Sequence, residues 1–302
     1  MKAFVVIATK GRAKETFTLL DYLAAQTYPI EKIVVVGSEP ADIARLENHP
    51  LSVSQKVMIK TSQTGSCIQR NAAMNQTLEF ASATDARNWF AVFFDDDFRP
   101  APNWLEQCAN TFKNRPEVVG LGGKVVADGV TTGTISEQEA QAHLEKNTVL
   151  AEEKIEPCFY GLYGCNMAYR GNVVTNIRFD ENLPLYGWQE DLDFGVRAIQ
   201  QTQGKLIYTN QCVGVHLGVS GGRTSGVRFG YSQIANPIYL AKKGTMNSSY
   251  ARKILLRNVA SNIFHTIIFD TKKDYIGRLW GNIKAAFHLL SGKCHPTNIL
   301  SL

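Results

Sequence analysis

Short, unbroken apolar runs alternate with segments of helical spacing over the first hundred residues. Residues 4–8 (FVVIA), 33–36 (IVVV), 57–60 (VMIK) and 89–94 (WFAVFF) read as strands buried on both faces. Between them, 13–25 places Phe17, Leu20 and Leu23 at helical intervals, and 65–80 does the same with Ile68, Ala72 and Leu78. A shorter helix is expected over 42–47. This β-α-β-α-β-α-β rhythm predicts an α/β fold, with a mostly parallel central sheet covered by helices on both faces. Ligands of such sheets bind beyond the carboxyl ends of the strands. The polar clusters after Ala8, Val36 and Phe94 therefore mark the expected site.

The second half is less regular. A helix is expected over 103–112, with Trp104, Leu105, Cys108 and Phe112 on one side, and a glycine-broken strand over 118–126. Residues 129–147 read as a loop leading into a helix from about Ser136, where Ser136 and Glu139 fit a capping box. Strands are expected at 163–169 and 206–215, a helix at 191–201, and a mobile Gly/Ser-rich loop at 216–228. Two amphipathic helices follow. Leu255, Leu256, Val259, Ile263 and Ile267 recur every three or four residues, as do Tyr275/Ile276, Leu279, Ile283 and Phe287. The expected division is a catalytic domain over 1–235 and a helical tail over 236–302.

Composition sets the class. The chain has 302 residues, 44% hydrophobic and 20% charged, which is globular rather than disordered or fibrous. None of the six cysteines forms a CxxC pair, so neither a disulfide scaffold nor a zinc ribbon is expected. No basic n-region with an apolar h-region opens the chain, and no apolar run approaches the roughly 20 residues of a spanning helix. The default expectation is a reduced, cytoplasmic protein. The net charge of +5 is unevenly placed: from Lys242 onward there are ten basic residues against Asp270 and Asp274, a net of +8, leaving −3 on the rest. A basic amphipathic tail on an acidic body points to an anionic partner. The body lacks a basic patch with interleaved aromatics, so no nucleic acid is expected. The tail either packs on the domain or on a twin subunit in a homodimer, or lies on an anionic membrane at its inner face.

The strongest chemical signal is Asp95-Asp96-Asp97 at the end of a buried strand. Three adjacent carboxylates repel one another, and a divalent cation relieves the repulsion. Oxygen ligands suit Mg²⁺ or Mn²⁺, which bridge carboxylates to phosphates. In an extended segment Asp95 and Asp97 point one way and Asp96 the other. The competing reading is a solvated turn before Pro100. A second acidic pair, Glu190-Asp191, follows Gly187, Trp188 and Gln189 and opens a helix. There Asp191 is either a plain cap or a general base beside an aromatic wall.

The strand ending at Thr9 to Arg12, Gly65 with Arg70-Asn71, the FFDDD segment, Gly164-Cys165-Asn166 and Trp188-Gln189-Glu190-Asp191 occur in one order. The ordered set resembles the family 2 inverting glycosyltransferases of GT-A fold, over roughly residues 3–220. The resemblance implies sugar transfer from a nucleotide-diphosphate donor to an acceptor hydroxyl on a glycan or lipid-linked saccharide, in polysaccharide synthesis. It implies a donor site at Thr9, Arg12, Arg70, Asp95 and Asp96, with Mn²⁺ or Mg²⁺ on Asp97 and Asp95. Asn166 and Trp188 would line the cleft, Asp191 would be the base, and Glu190 would position the acceptor. Glu39 stands where relatives carry an Asp that contacts the base. His216 resembles a histidine some relatives place near the metal or diphosphate, and Arg223 would neutralise the leaving group from a lid over 220–223. Arg70 and Asn71 also fit a structural network at a helix start. The competing classes are a sugar-1-phosphate nucleotidyltransferase and a non-catalytic nucleotide-sugar-binding module.

Overall fold

A computed structural model describes residues 1–147, 152–219, 221 and 224–302. Among them are strands β1 (Lys2–Thr9), β2 (Ile30–Gly37), β3 (Val57–Thr61), β4 (Trp89–Asp95), β5 (Phe98–Pro100), β6 (Val118–Asp128), β7 (Ile155–Cys158), β8 (Asn166–Arg170) and β9 (Lys205–His216). The first helices are α1 (Ala13–Ala24), α2 (Pro50–Val53), α3 (Ser66–Ala81), α4 (Trp104–Asn114), α5 (Gly129–Thr132) and α6 (Glu137–Asn147). They are followed by α7 (Gly171–Asn176), α8 (Glu190–Thr202), α9 (Gly226–Lys243), α10 (Ser248–Ile267) and α11 (Tyr275–Leu290). The chain divides into two compact units. The first comprises Met1–Thr64, Ile68–Phe179 and Phe194–Gly222, and the second Gly65–Cys67, Asp180–Asp193 and Arg223–Leu302.

The first unit holds the whole sheet, in the order β3-β2-β1-β4-β8-β6-β9-β5, with β7 on β9. The four strands legible as apolar runs pair in parallel. Beyond β4 the pairing is mixed: β8 is antiparallel to both neighbours, and β9 is parallel to β6. Both faces are covered. On one, Val5, Ile7, Val35, Val92 and Phe94 pack against Leu19, Leu20 and Leu23 of α1 and Trp104, Leu105 and Phe112 of α4. On the other, Phe93 meets Phe179 and Phe194, whose rings stack 4.3 Å apart. Strands β5 and β7, of three and four residues, are too short to show a period and exist through pairing with β9. The strand expected at 163–169 begins only at Asn166, because Gly164 and Cys165 form a turn.

The second unit is helical. The loop expected through Arg228 gives way to α9 at Gly226, capped by Ser225. Glycines, Ser232, Asn236 and Pro237 dilute the apolar period of α9, and burial of Tyr231, Ile234, Ala235 and Leu240 overrides their low propensity. Leu185, Leu255 and Val259 pack on the same cluster. The amphipathic helices expected in the tail are α10 and α11. Their domain is anchored by Lys243, whose ammonium reaches Asp180 at 2.5 Å and Asp193 at 2.9 Å.

Candidate functional site

The register of the sheet builds the site in the first unit. Ala8 pairs with both Val36 and Asp95, and Thr9 with Gly37, so the carboxyl ends of β1, β2 and β4 lie along one edge. Gln69 of α3 donates to the carbonyls of Thr9 and Val36 at 2.8 and 2.9 Å, stapling two of these ends. The chain turns at Asp96 and Asp97 into β5, whose Phe98 pairs with His216 at the end of β9. Asp128, at the end of β6, also registers with His216. On the other side of β4, Asn166 pairs with Phe94. Three distant segments thus deliver polar side chains to the tip of β4.

Asp95, Asp97 and His216 each offer one ligand atom, all within 4.8 Å of one another. Asp97 is 1% exposed and His216 6%, while the Asp95 side chain keeps 37% of its surface in solvent. His216 Nε2 approaches Asp97 Oδ1 at 3.2 Å, an ion-pair distance without hydrogen-bond angles. That oxygen accepts no hydrogen bond among the described residues. A buried carboxylate oxygen without a donor, facing a second carboxylate and an imidazole, is a donor set that fits a divalent cation with hard-ligand preference. Asp97 Oδ2 accepts from the Val219 N–H at 2.9 Å, which fixes the carboxylate plane.

The other face of the imidazole was not anticipated from sequence. His216 Nδ1 lies 3.2 Å from Asp128 Oδ1 and 3.3 Å from the Tyr163 hydroxyl, and that hydroxyl donates to Asp128 at 3.2 Å. Burial alone would hold the ring neutral, but its surroundings raise its pKa well above the ordinary value. The neighbouring Cys165 thiol is itself pushed up to about 12 by burial and is uncharged. The charges acting on the ring are therefore those of Asp97 and Asp128. Burial pushes Asp97 up too, yet His216, the Arg12 charge and the Val219 N–H outweigh it and hold the carboxyl low. Asp96 goes the other way: burial raises it, Arg12 opposes, and the Asp97 charge adds to the rise.

The remaining expected residues fall in both units. Asp96 lies in the turn after β4, where strand alternation does not apply, and accepts from Arg12 at 2.8 Å. Arg12 also lies 3.3 Å from Asp97 and donates to the carbonyls of Val219 and Gly221 at 2.7 and 2.9 Å, so its guanidinium is spent inside the protein. Thr9 is buried, with its hydroxyl accepting from Thr16. Arg70 donates to Asp95 at 2.9 Å and to the Gly164 carbonyl at 3.2 Å. Asn71 exchanges hydrogen bonds with the backbone of Phe179, the structural network its position allowed. Asn166 is fully buried, and among the described residues neither carboxamide atom has a hydrogen-bond partner. Glu39 caps a short 3₁₀ turn over Pro40–Ile43. Arg223 and most of the expected lid (Ser220 and Gly222) lie outside the described residues.

Asp42 is a second residue the sequence underplayed. It is 1% exposed and accepts from the N–H groups of Gly11, Ser38 and Glu39 and from the Ser38 hydroxyl, at 2.6 to 3.0 Å. Burial opposes its ionisation, but these four donors outweigh burial and lower its pKa. It knots the turn after β1 to the loop after β2.

The second acidic pair belongs to the second unit. Leu185, Gly187 and Gln189 have φ of 58°, 65° and 73°, so the turn into α8 is held in the left-handed region three times in five residues. Two of these are not glycine, and such strain concentrates at functional turns. Among the acids of the first turn, Asp193 is fully buried and bound by Lys243 and Thr245. Glu190 is buried, whereas Asp191 is half-buried, with Oδ1 accepting from the Leu192 N–H at 2.8 Å. The Trp188 ring packs edge-on to Phe229 at 5.9 Å, and its carbonyl accepts from Asn236.

Comparison with known proteins bears on the family and the fold. The profile of glycosyl transferase family 2 matches residues 4–175. A glucosyl-dolichyl phosphate glucuronosyltransferase of Haloferax volcanii is 25% identical over 237 residues, 70% of this chain and 67% of that protein. Among solved structures, TarS of S. aureus superposes with a TM-score of 0.52 at 18% identity, over 84% of this chain and 42% of TarS. The chain thus spans less than half the length of TarS. The mannosyltransferase PcManGT from Pyrobaculum calidifontis, solved with GDP-Man and Mn²⁺, gives 0.51 at 15% identity, over 99% of this chain and 85% of that one. At such identities the structural likenesses speak for the fold.

Proposed function

The chain belongs to glycosyl transferase family 2, and on that footing we propose that this glycosyltransferase works with inversion on a nucleotide-diphosphate sugar held at the tip of β4. The observation that carries the reading is the cluster of Asp95, Asp97 and His216 at the carboxyl edge of the parallel strands, with one buried Asp97 oxygen lacking a hydrogen bond among the described residues. These three residues would hold Mn²⁺ or Mg²⁺. When bound, the cation supplies positive charge opposite the diphosphate, where charge develops as the glycosidic bond breaks.

The chain's own groups do the rest. Asp191 takes the proton of the acceptor hydroxyl as its oxygen bonds to the anomeric carbon, and the diphosphate leaves with the electron pair of the broken bond. Glu190 and Trp188 orient the acceptor. Asp96 lies on the donor's ribose or sugar side, with Arg12 fixing its direction, and Arg70 does the same for Asp95. The buried carboxamide of Asn166, without a hydrogen-bond partner among the described residues, lines the cleft. Glu39, in the loop Asp42 anchors, faces the base. The Haloferax volcanii relative is named for a saccharide on dolichyl phosphate, which supports a lipid-linked saccharide as acceptor.

A thermal-shift panel of nucleoside-diphosphate sugars with Mn²⁺ and with Mg²⁺ tests the donor site. One donor should stabilise the protein more with cation than without, and Asp97→Asn should remove the cation-dependent part. Equal nucleotide affinity with and without cation, in both proteins, would exclude this cation site.

A further inference from the structure

The helices α10 and α11 are mounted with their apolar stripes outward. On α11 the buried residues are Tyr275, Gly277, Gly281, Asn282 and Ala285. The opposite side carries Ile276, Trp280, Ile283, Phe287 and Leu290, exposed by 61, 57, 51, 69 and 89%. Their spacing of four, three, four and three residues is one continuous helix face. On α10, Leu255 and Val259 pack inward, but Leu256, Ile263, Phe264 and Ile267 remain exposed by 62, 42, 58 and 68%, and Phe269 just beyond by 85%. Soluble surfaces scatter such side chains singly; a stripe of large ones marks an interaction site.

This orientation is specified from inside the helical unit. Asn262 of α10 donates to Gln233 of α9 at 2.7 Å and to Asn282 of α11 at 2.8 Å, and Asn282 donates to the Gly230 carbonyl at 2.7 Å. Glycines 230 and 281 let the backbones of α9 and α11 meet, with no room for a Cβ at either. Turning either helix to bury its stripe would expose or strand this buried polar network. On α11 the sequence thus places Asn282 and its smallest residues inside and Trp280, Phe287 and Leu290 outside.

We propose that this face docks on an anionic lipid surface. The charge around it selects that partner. Lys253, Arg257, Lys272, Lys273, Lys284 and Lys293 are all exposed on or beside these helices, within a stretch of net charge +8. The two acids there are committed: Asp270 binds His265, and Asp274 caps α11. Apolar side chains that enter the headgroup boundary, flanked by cations, are the pattern of an in-plane interfacial helix. Among the described residues no helix is long and apolar enough to cross a membrane, so the helices lie on the surface. Two copies meeting through this face would bring like charge against like charge, which disfavours a self-interface.

The test uses the full chain and vesicles of phosphatidylcholine with and without phosphatidylglycerol. The protein should sediment with the anionic vesicles and be released by salt. Lys272→Gln with Lys273→Gln and Lys284→Gln should weaken binding by roughly tenfold or more. Trp280→Ser with Phe287→Ser should abolish it while leaving the buried side of α11 unchanged. Independently of any variant, brominated acyl chains should quench wild-type fluorescence through Trp280, and Trp280→Phe should remove that quenching. Equal sedimentation of wild type and the stripe variant, no sedimentation of wild type, or no quenching would overturn the proposal. So would a concentration-dependent dimer that the stripe variant dissociates, which would give the face to a second copy of the chain.

Discussion

With Asp128 and Tyr163 on Nδ1, His216 turns Nε2 toward Asp95 and Asp97. A carboxylate behind an imidazole fixes its tautomer and raises its basicity as a ligand, and losing such a group costs metal affinity typically by about 10–100-fold. Asp128→Asn is therefore expected to weaken Mn²⁺ binding by about that factor, read by titrating the free-ion EPR signal, without itself touching the cation. The acidic triplet was legible in the sequence, because three acids closing an apolar strand have no cheap alternative, but its expected strand alternation was not, since the chain turns at Asp96 and Asp97. Asp128 was not, since its role depends on the register of β6 against β9, set by residues nearly ninety positions apart. Asp42 escaped for a related reason: its four donors come from two loops that meet only when β1 and β2 pair.

Among the elements, strands β1, β2 and β4 declared themselves because parallel strands buried on both faces must be apolar throughout, while β3, at the sheet edge, is buried only at Val57. The antiparallel additions did not, being short or broken by glycine. Helix periodicity gave α10 and α11 their place but not their orientation, since a stripe reads the same whether protein or lipid covers it. Helix α9 was hidden by its own glycines and proline. Its last turn gives a further expectation. Burial would raise the Asp180 carboxyl, but hydrogen bonds from Lys243, Tyr239 and the Asn182 N–H outweigh it and hold the pKa at about 2, below the ordinary 3.8. A depressed carboxyl stabilises the fold above its unfolded pKa and loses that contribution as pH falls through its folded value. Asp180→Asn is expected to cost about 1–2 kcal/mol near neutral pH, after discounting for partial exposure. In urea unfolding, the gap between the two proteins should close as pH falls from about 4 toward about 2. A gap independent of pH would remove the ion pair from the account.

At the scale of the molecule, Asp95, Asp97 and His216 belong to the sheet unit, and Asp191 belongs to the unit that also carries the basic helices. The charge divides the same way: −3 before Lys242 and +8 after it. Family membership makes the chain a glycosyltransferase. In the proposed reaction the two carboxylates divide the work, Asp97 serving donor binding and Asp191 serving proton removal. The most direct measurement is single-turnover transfer from a pre-bound nucleotide sugar by Asp191→Asn. Donor affinity should match wild type while transfer falls by about 10²–10⁴-fold, the range of a lost general base. Transfer at the wild-type rate from the bound donor would contradict the account at its centre.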